Sequence, residues 1–184
     1  IFNDDILKFN LEKIAKKNSI IFGNLPFNIS SQILVKIIKF KKWPPNYVAI
    51  ILMFQKEMAD RIIAKFGSSE YGRLSILTNY KLKLINKFNI SPNCFFPKPK
   101  VTSTILYLEP KLQNKYKIRN IENLEKITKC FFSSKRKMIN KSINKIFKNS
   151  NQKQVIHNID LSLRPSDLNF EKYYKITKLF EEVS

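Results

Sequence analysis

Apolar and polar residues alternate along this chain in two distinct regimes, and each regime predicts its own elements. Ser19 to Phe22 is a short apolar run ended by Gly23, and Tyr47 to Phe54 is a continuous apolar run of strand length. Continuous runs of this kind suit strands of a parallel sheet that are buried on both faces. Between them, Ile33, Leu34, Ile37, Ile38 and Phe40 recur at near-helical spacing after Ser31, a candidate helix cap, until Trp43-Pro44-Pro45-Asn46 breaks the pattern. The order is therefore strand, helix, strand. Leu11 to Lys17 reads as a short helix before it. After it, Met58, Ile62 and Ile63 give a helix that breaks at Phe66-Gly67-Ser68-Ser69, and Leu74 to Tyr80 gives another. Lys81 to Ile90 alternates Leu82, Leu84 or Ile85, and Phe88 with Lys and Asn, the pattern of a half-exposed strand, and Thr104 to Leu108 is a second one.

From Ile121 onward strand signals cease. Leu124, Ile127, Cys130 and Phe131 suit a helix with one inward face, and Met138, Ile139, Ile143, Ile146 and Phe147 continue the pattern among lysines. Leu161, Leu163, Arg164-Pro165 and Ser166 end a turn and cap a last helix carrying Phe170, Tyr173, Tyr174, Leu179 and Phe180. Glu109-Pro110-Lys111 closes the sheet pattern, so the boundary is placed near residue 112, with domains at 1–112 and 113–184.

Charge changes this picture toward a polyanionic partner. The 184 residues carry 34 Lys and Arg against 14 Asp and Glu, a net charge of +20, which points to nucleic acid or an acidic membrane face. Lys far outnumbers Arg, and Ile and Asn are abundant, a bias that an AT-rich genome also produces. The clusters are accordingly more informative than the total. No run approaches the roughly 18 apolar residues of a membrane helix, and Ile1-Phe2-Asn3-Asp4-Asp5 has no signal-peptide character. Cys94, Cys130 and the single His157 lack a metal-type spacing, which argues against a metal site or a disulfide framework and for a reducing compartment.

Gly23-Asn24-Leu25-Pro26-Phe27-Asn28-Ile29-Ser30 follows a strand and precedes a helix. In open α/β sheets such loops, outside the carboxyl ends of strands, hold ligands. The residue types suit methyl transfer to the exocyclic amine of a base. That amine is a poor nucleophile, since its lone pair is delocalised into the ring, and it needs acceptors for its protons. Asn24 has an acceptor oxygen; Pro26 fixes φ and helps to aim the Leu25 carbonyl; Phe27 offers a stacking face. The bland alternative is a strand ending in a proline turn. Two further places are candidates for phosphate contact. Lys98 and Lys100 stand on the loop Ser91 to Val101 among three prolines, where they are otherwise solvated lysines of a stiffened hairpin. Lys135, Arg136 and Lys137 form the densest basic cluster, otherwise an exposed helix face.

Asn24-Leu25-Pro26-Phe27 resembles the Asn-Leu-Pro-Tyr/Phe tetrad of adenine-amino methyltransferases. Four more blocks agree in order and spacing with the KsgA-type small-subunit rRNA adenine N6,N6-dimethyltransferases: Gln55-Lys56-Glu57 with Arg61, Tyr71-Gly72-Arg73-Leu74-Ser75, Phe96 to Ser103, and Phe132 to Lys137. The resemblance implies an α/β fold, a Rossmann-like class I methyltransferase core with its first strands missing, joined to a small C-terminal α-helical, rRNA-binding domain. It implies S-adenosylmethionine as cofactor, with Asp5 and Asn24 among its ligands, whereas Asp5 by itself reads rather as a helix N-cap. It implies transfer of methyl groups to two adjacent adenosines near the 3′ end of small-subunit rRNA within an assembling ribosomal subunit, by a cytoplasmic monomer without a metal. Glycines stand only at 23, 67 and 72, so the family's Gly-rich cofactor loop is expected before Ile1 and the chain alone is expected to be inactive. Phe27, Thr102 and Lys135 stand where the family commonly has Tyr, Asp and Arg. The alternatives are an Erm-type large-subunit rRNA adenine methyltransferase and a non-catalytic rRNA-binding assembly factor.

Overall fold

Residues 1–147 and 159–183 are described in the computed structural model; His157 lies outside them. The chain divides into two units, one of Ile1–Ile63 with Lys81–Leu112 and one of Ala64–Tyr80 with Gln113–Ser184.

The first unit is built on a four-stranded mixed sheet. Helix α1 (Leu11–Ile14) precedes strand β1 (Ser19–Asn24), and helix α2 (Ser30–Ile38) leads to β2 (Tyr47–Gln55), which runs directly into α3 (Lys56–Ile62). Helix α4 (Arg73–Lys81) leads into β3 (Leu82–Ile90) and β4 (Ser103–Pro110). The strand order is β1-β2-β4-β3, with β1 parallel to β2 and β4 antiparallel to both β2 and β3. The apolar runs went into strands because β2 is central: Ile50, Leu52, Phe54 and their neighbours Leu106 and Leu108 on β4 are at most 1% exposed. Ile33, Leu34, Ile37 and Ile38 form the buried stripe of α2. Strand β1, at the end of the order, behaves differently, since Ile20 and Phe22 are 57% and 73% exposed and only alternate residues turn inward. Strand β3, at the other end, is exposed along almost its whole length.

The second unit is helical. It comprises most of α4, then α5 (Ile121–Phe132), α6 (Asn140–Ile146) and α7 (Phe170–Glu182). Leu124, Ile127 and Phe131 of α5 share a core with Tyr173 and Ile176 of α7 and with Ile139, Ile143 and Phe147. The sequence pattern assigned 64–80 to the sheet part, whereas Tyr71, Ile76, Leu77 and Tyr80 are buried in this helical core. Tyrosine hydroxyls account for that placement. Tyr71 donates to the Leu168 carbonyl at 2.8 Å, and Tyr174 donates to Asn79 Oδ1 at 3.0 Å. Tyr80 donates to the Tyr116 carbonyl and accepts from the Ile118 N–H. A buried carboxylate closes the start of α5: Glu181 accepts from the backbone of Arg119 and Asn120 and from Asn123 Nδ2. The last helix is capped by Asn169, which accepts from Lys172 N, and not by Ser166.

Candidate functional site

Asn24 is the last residue of β1 and lies beside Met53 of the parallel β2, so the tetrad begins at the carboxyl end of two parallel strands. Asn24 and Pro26 are exposed, and Leu25 and Phe27 are half-buried. The turn closes on itself through Ile29 N–H to the Pro26 carbonyl, at 3.2 Å, and Ser30 Oγ to the Phe27 carbonyl, at 3.0 Å. Ser31 was the expected helix cap. Instead Ile29 occupies the cap position without a side-chain bond, and the buried Ser30 hydroxyl is turned back onto the tetrad. The serine thus fixes the loop rather than the helix end.

Those turn bonds use the Pro26 and Phe27 carbonyls and leave the Leu25 carbonyl outside them. Among the described residues no side chain bonds the Asn24 amide. Two oxygen acceptors one residue apart, with an aromatic ring two residues further on, suit a planar group that bears an N–H donor. Gly23 leaves room for this arrangement: a Cβ there would lie 3.0 Å from Leu25 Cδ2 and 3.1 Å from Leu52 Cδ2, so one of these side chains would have to give by a few tenths of an ångström.

Asp5 is exposed and shapes a turn. Its Oδ1 accepts from Leu7 N–H at 2.9 Å, and its carbonyl accepts from Lys8 and Phe9. It caps no helix, because α1 starts later and takes Asn10 as its cap. Asp5 Oδ2 has no hydrogen bond of this kind among the described residues.

The loop carrying Lys98 and Lys100 starts with a 3₁₀ turn, Pro92–Cys94, in which Ser91 Oγ accepts from Asn93 N–H. It ends on the Thr102 carbonyl, which accepts from Lys56 N–H at 2.9 Å, next to the Gln55–Ser103 pair of the sheet. Both lysines are exposed, and Phe96 is fully so. The Gln55-Lys56-Glu57 block with Arg61 has a local structural role here: Arg61 pairs with Glu57 at 2.5 Å and Lys56 with Asp60 at 2.6 Å along α3.

In the helical unit, Lys135, Arg136 and Lys137 are exposed on a turn between α5 and α6, not on a helix. The serines before them end the helix, since Ser133 Oγ donates to the Cys130 carbonyl and Lys137 N–H reaches the Ser134 carbonyl. Lys135 Nζ also reaches the Ser69 carbonyl at 3.4 Å. The structure adds residues that the pattern of the sequence did not single out. A cavity of about 470 Å³ is lined by Lys126, Lys129, Cys130 and Ser133 of α5 and its end, and by Lys145 and Ile146 of α6. The i, i+3, i+7 spacing of Lys126, Lys129 and Ser133 is the one sequence signal for it. A second cavity, about 540 Å³, lies in the first unit along the Gln32, Val35, Lys36 and Lys39 face of α2. There Lys36 Nζ donates to the Leu7 carbonyl at 2.6 Å.

Among the described residues no cluster of His, Cys, Asp and Glu has the makings of a metal site, and no helix is long and apolar enough to cross a membrane.

Comparison with known proteins gives a consistent picture. The family model for "Ribosomal RNA adenine dimethylase" matches residues 1–182. A protein of Pelagibacter ubique named ribosomal RNA small subunit methyltransferase A is 43% identical over 100% of this chain and 70% of its own length. A protein of the same name from Malacoplasma penetrans is 37% identical over 96% of this chain and 64% of its own length. The crystal structure of a dimethyladenosine transferase from Plasmodium falciparum superposes with a TM-score of 0.75 at 26% identity, covering 95% of this chain and 70% of that one. The chain thus spans 70% and 64% of the length of these two relatives and about half of others that it matches.

Proposed function

This chain belongs to the ribosomal RNA adenine dimethylase family, with the Rossmann-like α/β fold of its structural relative, and from that membership we propose that it acts in the N6,N6-dimethylation of two adjacent adenosines near the 3′ end of small-subunit rRNA. The names of the relatives favour the small subunit over an Erm-type, large-subunit substrate. The observation that carries the reading is the tetrad at the end of β1, where Asn24 and the Leu25 carbonyl present two acceptors beside Phe27.

The chemistry follows from those groups. The amine of adenine becomes positively charged as it forms a new bond to carbon, and its protons become stronger donors. Oxygens already aimed at them therefore bind the transition state more tightly than the ground state. Phe27 stacks on the extruded base and sets its plane. Pro26 and the Ser30–Phe27 hydrogen bond hold that geometry without reorganisation. Once one methyl group is on the amine, a single N–H remains, so the second round uses only one of the two acceptors. S-adenosylmethionine, when bound, supplies the electrophilic methyl group. The exposed Asp5 carboxylate, whose Oδ1 already accepts from Leu7 N–H, and the Asn24 amide would suit a ligand that carries amino groups. Lys98, Lys100, Lys135, Arg136 and Lys137 would meet rRNA phosphates. Neither a metal nor a covalent intermediate is part of this proposal, and the site of action is the cytoplasm, on a subunit still being assembled.

The test is single-turnover methylation of a small-subunit rRNA fragment by the full-length protein, run beside filter binding. Asn24→Ala is expected to lower the rate about 10²- to 10³-fold, as loss of an oriented acceptor does, with RNA affinity nearly unchanged. Phe27→Tyr should retain most activity and Phe27→Ala little. Equal losses of rate and affinity for Asn24→Ala would remove it from the amine site.

A further inference from the structure

The helical unit contains a second place whose chemistry is specific. The cavity between α5 and α6 is lined by the apolar surface of Cys130 and Ile146 together with three lysines, Lys126, Lys129 and Lys145. Among the described residues none of the three is in an ion pair. Lysines are common on this chain, but these share one concave surface, and among the described residues that line it none is acidic. One wall is fixed, since Lys126 Nζ lies 4.8 Å from the Phe180 ring centroid. The lining also carries a hydroxyl of defined polarity: Ser133 Oγ donates to the Cys130 carbonyl at 2.7 Å, which leaves its oxygen to act as an acceptor. The backbone around it is clasped from α6 as well, with Ser142 Oγ on the same carbonyl.

A ligand that fits must bring a flat apolar body, at least one negative charge, and a hydroxyl donor. A nucleotide of RNA has all three: base, phosphate and 2′-OH. Bases in a duplex are stacked inside and cannot enter a concavity, so the segment must be unpaired. We infer that the α5–α6 cavity seats one unpaired nucleotide of an RNA strand, its base on Cys130 and Ile146, its phosphate among Lys126, Lys129 and Lys145, and its 2′-OH toward Ser133. The seat is formed by other residues than the amine site, adjoins the basic turn through Ser133, and holds the strand without reacting with it. The inference rests on the reading of the protein as one that binds rRNA.

Cys130 makes the occupant observable. Alkylation of Cys130 by iodoacetamide, followed by mass spectrometry, is measured in the full-length protein with and without a fluorescein-labelled, unpaired eight-nucleotide RNA, whose binding is followed by anisotropy. Saturating RNA is expected to slow Cys130 alkylation roughly fivefold or more, and an eight-base-pair duplex at equal occupancy is expected to leave it unchanged. Lys129→Gln with Lys145→Gln should weaken the oligonucleotide roughly fivefold to tenfold through lost phosphate contacts and abolish the protection. Lys175→Gln with Lys178→Gln on α7 is the charge-matched control and should do neither. If the RNA binds while Cys130 reacts at its free rate, the seat is overturned and rRNA binding stands. If duplex and strand protect alike, the lysines are a diffuse charged cover and the seat is again overturned. If the protein binds neither RNA, the rRNA-binding reading fails and the seat fails with it.

Discussion

The Tyr71 hydroxyl donates to the Leu168 carbonyl at 2.8 Å although 97 residues separate them, and both groups are buried. The bond ties the segment before α4 to the turn that precedes α7, within one helical core. Tyr71→Phe keeps the ring among Phe66, Phe132 and Phe170 but leaves a buried carbonyl without its donor. A loss of about 1–3 kcal/mol is expected. Tyr71→Ala, which also opens a cavity, should cost about 3–5 kcal/mol. Urea unfolding followed by tyrosine fluorescence and far-ultraviolet dichroism measures both, and a Phe variant as stable as the parent would show that the hydrogen bond is energetically idle.

Lys81 and Trp43 set a pH dependence in the first unit. Burial pushes the Lys81 ammonium down from 10.5 to about 8, while the Trp43 ring, 4.2 Å from Nζ, opposes that shift by holding the charge. Between about pH 8 and 10.5 the unfolded chain binds a proton that the folded chain has released. Stability from this group therefore rises with pH across that window. Buried tyrosines act with the opposite slope higher up: burial raises Tyr47, Tyr71, Tyr173 and Tyr174 above 10.0, so the unfolded chain loses protons first and stability falls above that pH. Lys81→Met should reduce the rising limb, to which the half-buried Lys111, also held below its usual value, adds, and should spare the falling one. NMR titration of lysine side chains provides the direct check, with Trp43→Leu expected to lower the Lys81 midpoint further; a Lys81 midpoint near 10.5 would contradict the assignment.

Gly23 tests whether the tetrad depends on its packing. An alanine methyl group at 23 must displace Leu25 or Leu52, each about 3 Å away. Leu52 is 1% exposed and held in the sheet, so the half-buried Leu25 side chain is the one expected to give, directly beside the carbonyl proposed as an acceptor. Overpacking of this kind costs about 1–3 kcal/mol, of which about 0.5–1 is returned because Gly is a poor strand residue. The expected outcome is a small change in melting temperature with a loss of methylation rate well beyond it. A variant that melts lower yet methylates normally would place the Leu25 carbonyl outside the reaction.

Much of the sheet could be read directly. A run such as Tyr47 to Phe54 admits few conformations that bury most of its side chains, and Pro26, two residues past Asn24, marks where β1 has stopped. The tetrad was visible for the same reason, since Gly and Pro punctuate a chain wherever they stand. Partners at a distance were not visible. Tyr71 and Tyr80 look like residues of any amphipathic segment, and only the folded chain shows that their hydroxyls bond Leu168 and Tyr116. The basic cluster was expected on a helix because its spacing continues that of α5, yet Ser133 bonds backward to Cys130 and ends the helix first. The α5–α6 cavity needs two helices side by side, and spacing along one of them cannot supply the other.

The basic turn gives the last prediction, and it separates a docking face from general charge. Lys135, Arg136 and Lys137 project from one short turn, so their charges are close together and able to meet adjacent phosphates, with Arg136 able to make two parallel bonds and the lysines acting as point charges. Each phosphate neutralised releases condensed counterions, which steepens the fall of log K with log salt by about 0.9 per contact on a duplex and about 0.7 on a single strand. Changing all three residues to Gln should therefore weaken rRNA binding most at low salt and flatten the slope by about 1.4–2.7 if two or three contacts are lost. The control is Lys8, Lys16 and Lys17 changed to Gln, which removes the same charge from exposed positions of the first unit. With a net charge of +20, diffuse attraction alone would make the two triple variants equal in affinity and in slope. Equality would show that composition, not the turn, binds the RNA. A flattened slope confined to the first triple would make the turn a docking face that holds the rRNA while Asn24, Leu25 and Phe27 act on the base.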